Sequence, residues 1–442
     1  MRKYFSYMLL MLLCALATML LSFLSCSAQN KHRSSSGDKD AGHKDAAVKD
    51  AGKDAGSQPI QDAGFDAGPR ASLTGVVYAP EGTLPISGAL VYLTNTMPDP
   101  IPGQAYCNKC EDMQGHSWAL TNPDGSFKIN KVTPGKWLLV VKKGQFRLVS
   151  DLEVTTSPTQ SVPSALTTLP GESTDDGRKT IPRIAVTTDT QWDRIQDLLA
   201  KLGLGQTNAN GVLIPGTEHF DIYNHDTTYA GKPAASVLFD DASLINSYHM
   251  IFVPCIGSVY QYKYLKTQKQ DFAKRIQDYV AAGGKWYGSC WAYDWVEQVF
   301  PEYIEFQGND AVIDSATLSS SYDTSGTIHG QGLMDWLQVV EPSVSLSAFP
   351  LLGFWVLTNS VASSVDNGMG PDGGPVVPMV WASDNLHANH PMTVTFPYGC
   401  GKVFFTAYHT VEESSPMIRP QEKILTYLIM EIGVCSGDYI VE

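Results

Sequence analysis

Beyond its first 26 residues the chain has no hydrophobic run long enough to span a bilayer, so a later membrane-crossing helix is not expected. Cations are also scarce: 31 Lys and Arg stand against 45 Asp and Glu, a net charge of −14. Residues 1–26 carry only Arg2 and Lys3, and residues 27–70 balance seven cations with seven anions, which leaves 22 against 38, or −16, for residues 71–442. A phosphate-backbone partner needs a basic stripe to release counterions, and this excess of acid excludes nucleic acid. No glycine-rich phosphate loop follows the first strand of the C-terminal region, where Thr187-Thr188-Asp189 stands, so no nucleotide and no other cofactor is assigned. What remains is 43% hydrophobic with 26 Pro and 38 Gly, a loop-rich globular chain with length for about two to four folded units.

The N-terminus reads as an export signal: Arg2 and Lys3, an apolar run from Met8 to Leu24, then small residues. Phe23-Leu24-Ser25-Cys26 resembles a bacterial lipobox, with Phe23 where such boxes carry Leu, Val or Ile. Cleavage before Cys26 and lipidation of its thiol would anchor the protein in a membrane; cleavage after Ala28 would release it. Ser27 resembles the outer-membrane sorting choice of Gram-negative lipoproteins. The expectation is a signal peptide over 1–26, Cys26 as the first mature residue, and an extracytoplasmic outer-membrane lipoprotein facing the periplasm or the cell surface. Residues 27–70 repeat Asp-Ala-Gly at Asp40, Asp50, Asp54, Asp62 and Asp66 among few large apolar side chains. Such a segment cannot bury a core and is expected to be a disordered tether with a root-mean-square reach of about 35–40 Å. No twelve-residue loop with a closing Glu accompanies the repeats, which argues against calcium.

From 71 to 156 short alternating runs are broken by Gly and Pro, the pattern of an antiparallel β unit. Gly75-Val76-Val77, Pro85-Ile86-Ser87-Gly88-Ala89, Asn122-Pro123-Asp124-Gly125-Ser126-Phe127 and Thr133-Pro134-Gly135-Lys136-Trp137 resemble the carboxypeptidase regulatory-like domain, a small transthyretin-like β-sandwich. The resemblance implies a spacer or binding module without catalysis. Cys107 and Cys110 lie in a long insertion between Met97 and Trp118, where a local disulfide is expected in an exported chain. A zinc site there would need two more ligands, and only His116 is near.

A Pro-, Ser- and Thr-rich connector spans 157–180, after which strand and helix patterns alternate through 181–442. Ile184-Ala185-Val186-Thr187, Phe220 to Tyr223, Met250 to Val253 and Trp286-Tyr287-Gly288 read as strands. One helix, capped by Asp189 or Thr190, is expected to bury Trp192, Ile195, Leu198, Leu199 and Leu202. A second, from about Thr267 to Ala282, buries Phe272, Ile276, Tyr279 and Val280 and stops at Gly283-Gly284. This predicts a multidomain chain: a small antiparallel β-sandwich followed by a Rossmann-like or flavodoxin-like α/β domain with a parallel sheet. An insertion at about 307–380 carries no legible motif.

Sites in such sheets form at the carboxyl ends of the strands. Gly288-Ser289-Cys290-Trp291-Ala292 reads as strand, tight turn and helix start with Cys290 at the apex. It resembles the nucleophile elbow of the class I glutamine amidotransferase-like superfamily. Pro254-Cys255-Ile256-Gly257-Ser258 resembles that group's oxyanion-loop strand, and Gly401 to His409 its His-bearing strand. The resemblance implies Cys290 as nucleophile, His409 as base, Glu412 as orienting acid and the Gly257 amide as oxyanion donor. Two departures stand out. Ala292 replaces the family's Gly two residues after the Cys, and Glu412 lies three residues after His409 where the family has two.

Six cysteines remain after export and lipidation: Cys107, Cys110, Cys255, Cys290, Cys400 and Cys435. Cys255 with Cys290, and Cys400 with Cys435, are candidates for pairing, and the first bond would consume the nucleophile. Trp291, Tyr293 and Trp295 either shape a cleft beside Asp294 or fill a core. Asp384, His387 and His390 sit in a polar turn and read as solvent-facing, so no metal is assigned. The leading expectation is an exported lipoprotein presenting a non-catalytic α/β domain to an envelope carbohydrate, peptide or protein ligand. The alternative is a cysteine-dependent amide or ester hydrolase, and a third option is adhesion or assembly through the β-sandwich alone.

Overall fold

Alternation of apolar and polar side chains over 71–156 does produce strands: β1 (Ala71–Val76), β2 (Leu90–Thr94), β3 (Ser117–Leu120), β4 (Ser126–Val132), β5 (Gly135–Lys143) and β6 (Phe146–Val154). The computed structural model describes residues 70–188, 192–225, 229–255, 259–366, 370, 373–387, 389–411 and 414–432. The export signal with Cys26, the tether up to residue 69, Asp189, Thr190, Gly257, Glu412 and Cys435 lie outside the described residues. With β7 (Thr159–Ser161) and β8 (Lys179–Thr180), the strands form one sheet in the order β4-β1-β7 and a second in the order β3-β2-β5-β6-β8. The period of two divides the second sheet's side chains between its faces. Val91, Leu93, Leu139 and Val141 join Leu73, Phe127 and Ile129 of the first sheet in the core. Leu90, Tyr92, Val140 and Val149 cluster on the other face with Met113 of the long insertion. Residues 157–180, expected as a connector, are built into this lobe, since β7 runs parallel to β1 and β8 antiparallel to β6.

The second lobe is organised by one nine-stranded sheet. Its strands are β9 (Ile184–Thr188), β10 (Asp221–Asn224), β11 (Met250–Val253), β12 (Lys285–Ser289), β14 (Thr317–Ile328), β15 (Phe349–Val356), β17 (Met379–Asp384), β18 (Pro391–Tyr398) and β19 (Gly401–Thr406), in the order β10-β9-β11-β12-β19-β18-β17-β14-β15. The strands from β10 to β19 in that order pair parallel, as expected. The rest of the sheet is antiparallel, so the sheet as a whole is mixed. The stretch 307–380, which carries no motif, supplies β14 and β15 of this extension. A separate ribbon pairs β13 (Ile304–Phe306) with β16 (Thr358–Val361).

Helices α1 (Ile195–Leu199), α2 (Lys269–Ala281), α3 (Gln331–Val340) and α4 (Pro420–Ile432) accompany the sheet. In α2 the buried residues are Phe272, Ile276, Tyr279 and Val280, each worth roughly 1.5–3 kcal/mol of burial. Helix α1 begins only at Ile195, and Trp192 is 43% exposed instead of facing the core. Asp193, two residues before α1, is only 2% exposed and is buried where Trp192 is not. Tyr293 and Trp295 are fully buried and belong to the core, which leaves Trp291 as the partly exposed aromatic of the elbow.

The insertion of the first lobe packs against the amino ends of the parallel strands. His249 binds the Pro102 carbonyl through Nε2 (2.8 Å), and the Ala105 amide donates to the Asn246 carbonyl (2.8 Å). Gly283, at φ 115°, lies so close to Tyr106 that a Cβ there would meet its carbonyl oxygen at 2.0 Å. This docking brings Cys107 to Cys400, and the two form a disulfide across 293 residues with Cα atoms 5.0 Å apart. The expected Cys107–Cys110 and Cys400–Cys435 bonds are therefore corrected: Cys107 reaches across to the other lobe, and Cys110 is separately disulfide-bonded. One continuous hydrophobic core runs through both lobes.

Candidate functional site

With the amino ends of the parallel strands covered, the carboxyl ends hold the chemistry. Cys255 lies two residues beyond β11, Cys290 follows β12 directly, His409 lies three beyond β19, and Asp193 lies five beyond β9. Cys290 has φ 50°, the left-handed region that costs a non-glycine residue roughly 1–3 kcal/mol. The strain is held by a tight strand-to-helix turn: a Cβ on Gly288 would stand 3.0 Å from the Ala292 carbonyl oxygen and from Val296. The expected succession of strand, tight turn and helix start, with Cys290 at the apex, is thus present.

Cys255, Cys290 and His409 converge, with one donor atom from each lying within 4.8 Å of the others, and all three are buried. Cys255 and Cys290 are free thiols, so of the two alternatives left open for this pair the disulfide is not formed. Beneath them a hydrogen-bonded chain fixes the geometry. The Cys255 amide donates to Ser289 Oγ (2.9 Å), Ser289 Oγ donates to Asp193 Oδ2 (2.6 Å), and the Val411 amide donates to Asp193 Oδ1 (2.8 Å). The Gln421 side-chain amide holds the His409 carbonyl at 2.6 Å.

Burial pushes up the Asp193 carboxyl, and the nearby His409 charge and the Ser289 hydroxyl oppose it. Burial also raises the Cys255 thiol, but hydrogen bonds with Cys290 and His409, the His409 charge and the Trp291 amide outweigh it and bring Cys255 down to about 7. Cys290 is held well above its ordinary value by burial and by its hydrogen bond and charge contact with Cys255. Their contact lowers Cys255 and raises Cys290, so ionisation of one of the two buried thiols disfavours ionisation of the other.

Trp291 continues this arrangement outward. Its ring is partly buried between Trp192 (centroids 6.5 Å apart) and Trp355 of β15 (5.6 Å). Its amide lies near enough to the two thiols to draw both downward. In a nucleophile elbow that amide, one residue after the nucleophile, is an oxyanion donor.

The expected catalytic residues therefore divide. Cys290 and His409 are brought together, while Gly257 and Glu412 fall outside the described residues. Asp193 and Ser289 carry the geometry and were not singled out from the sequence. A lone Asp after the first strand reads as a helix-start residue, and only the sheet order places it beside His409. The other histidine candidates are accounted for by protein groups: His116 Nδ1 contacts the Leu93 carbonyl (3.1 Å), His387 Nδ1 the Asp384 carboxylate (2.5 Å) and His390 Nδ1 the Thr358 carbonyl. Among the described residues the group with metal-ligand geometry is Cys255, Cys290 and His409. No described helix is long and apolar enough to cross a membrane.

No family model matches the chain, and no curated protein sequence matches it. Among solved structures it is similar to a cytoplasmic protein of Salmonella typhimurium LT2, at 16% identity over 57% of this chain and 98% of that one, with a TM-score of 0.34. A second cytoplasmic protein of Salmonella typhimurium superposes at 14% identity over 57% and 97%, with a TM-score of 0.32. The β-galactosidase Gan42B superposes at 9% identity over 59% of this chain and 31% of its own, with a TM-score of 0.30.

Proposed function

We propose that the protein is an exported cell-envelope lipoprotein, anchored through Cys26, whose amidotransferase-like α/β domain binds a ligand and does not hydrolyse one. The transthyretin-like β-sandwich is its spacer, docked on the end of the sheet opposite the site. One observation carries the reading: the apical thiol of the elbow is fully buried, raised well above its ordinary value, and faces Cys255. A hydrolytic cysteine needs a thiolate open to substrate and an unengaged oxyanion donor. Here both sulfurs are buried beside one another, burial holds the Cys290 thiol up, and the Trp291 amide lies against the pair.

A second reading, a cysteine-dependent amide or ester hydrolase, draws support from the strained φ of Cys290 and its closeness to His409. In that reading Cys290 attacks, His409 takes the proton, and Asp193 stands in the acid role expected of Glu412. The test is a screen of envelope-purified protein against amide and ester substrates beside Cys290→Ala. No turnover above the variant supports the binding reading; turnover abolished in Cys290→Ala overturns it. Cys26→Ala tests the anchor, with movement of the protein from the membrane to the soluble fraction expected.

A further inference from the structure

We propose that Cys255, Cys290 and His409 are the protein ligands of a zinc ion seated at the carboxyl ends of β11, β12 and β19. This deepens the binding reading and rests on it, since sulfur committed to a metal is not a hydrolytic nucleophile.

Two sulfurs and an imidazole nitrogen are a donor set for a tetrahedral zinc ion, with Zn–S about 2.3 Å and Zn–N about 2.0–2.1 Å, which places the ligand atoms about 3.5–3.8 Å from one another. The three donor atoms already lie within 4.8 Å of one another, so the site closes through small side-chain movements. They come from three adjacent strands of one sheet, a rigid frame. In a chain whose Cys107, Cys110 and Cys400 are oxidised, this pair stays reduced. A bound ion supplies the reason that two neighbouring thiols escape pairing in an exported protein.

The surroundings match a metal site as well. Ligand orientation in such sites is fixed by hydrogen-bonded groups behind the ligands. Ser289 and Asp193 do this for the Cys255 backbone and for the segment that carries His409. Three protein ligands leave the fourth tetrahedral position to water or to a small ligand donor, beside the partly exposed Trp291. Binding changes no oxidation state. Cys290 gives up its thiol proton, and the proton carried by Cys255 or by its neighbour His409 leaves as both bond to zinc, so about two protons leave per ion bound.

The test uses the full mature protein, exported, stripped with chelator under reductant, its free thiols counted by alkylation after denaturation. Zinc is titrated calorimetrically in two buffers of different ionisation enthalpy, and cobalt(II) is added as a spectroscopic probe. The expected result is one zinc per chain, about two protons released, and thiolate-to-cobalt charge-transfer absorption. Ser289→Ala or Asp193→Asn should weaken zinc binding about 10–100-fold. Cys255→Ser/Cys290→Ser should abolish the charge-transfer band. The proposal is overturned if protein with both thiols reduced takes up no zinc, if cobalt binds without thiolate absorption, or if the double variant binds zinc as the wild type does. The wild-type cobalt spectrum decides the matter even if a variant fails to fold. Absence of zinc binding without turnover defeats the metal site alone, whereas turnover lost in Cys290→Ala defeats the binding reading beneath it.

Discussion

Removing one hydroxyl from beneath the thiols should have a cost that the structure allows to be worked out. Ser289 is fully buried, and its Oγ both donates to Asp193 at 2.6 Å and accepts from the Cys255 amide at 2.9 Å. In Ser289→Ala the Asp193 carboxylate loses a hydrogen bond to a charged group, about 1.5–3 kcal/mol, and the buried Cys255 amide loses its acceptor, about 1–3 kcal/mol. The expected loss is therefore about 4 kcal/mol, measured from denaturant midpoints under reductant at constant m-value. Asp193→Asn removes the other end of the same chain, so the two substitutions should couple by about 1 kcal/mol or more in a double-mutant cycle. Cys255 should also alkylate faster in native Ser289→Ala, because its backbone is no longer held. A loss below about 1 kcal/mol, or full additivity with Asp193→Asn, would refute the idea that Ser289 joins the acid to the thiol strand.

Lys201 and Glu422 form an ion pair with side chains 2% and 1% exposed, and Glu422 Oε1 has no hydrogen-bond partner. Lys201→Met should cost about 3–5 kcal/mol at pH 7, while Lys201→Met/Glu422→Leu should come close to the wild type or exceed it. Burial already raises the Glu422 carboxyl, and the stranded acid is neutral when protonated. The single-variant penalty should thus vanish as pH falls towards 4 and grow as pH rises, and denaturation at both pH values checks the sign. Burial lowers the Lys285 ammonium to about 7, so between pH 7 and 10 the unfolded chain binds a proton that the native chain does not, and stability rises with pH. Lys285→Met should therefore gain most at or below pH 7, by up to roughly 5 kcal/mol, and least near pH 10; an equal gain at both would count against it. Trp336 is buried and donates from Nε1 to the Pro85 carbonyl (2.8 Å), linking the lobes. Trp336→Ala should cost about 3–5 kcal/mol and Trp336→Phe less, by thermal or chemical melting.

Much of the secondary structure was legible because its determinants are local. The apolar stripe of α2 and its stop at Gly283, the strands flanking Val91 and Ile251, and the turn at Cys290 follow from side-chain period and glycine placement within a few residues. Where local signals misled, a distant contact had intervened. Trp192 has helical spacing with Ile195 and Leu199, but the helix begins only at Ile195 and the neighbouring Asp193 is the residue that is buried. Tyr293 and Trp295 can read as a cleft or a core, and the packing against Phe239, Tyr264 and Phe306 makes them core.

By itself the sequence determined the net acidity of the chain, the alternation of strand and helix, and the tight turn at Cys290. Tertiary structure alone decided which side chains meet. Sheet order sets Asp193, Cys255, Cys290 and His409 at neighbouring strand ends although 216 positions separate the first from the last, and the docking of an insertion sends Cys107 to Cys400 and not to Cys110. Periodicity encodes which face of an element is buried, because burial depends on the nearest few residues. It does not encode which elements become neighbours, because that depends on how the faces of the whole chain fit together, and chemistry at a strand end belongs to the neighbours.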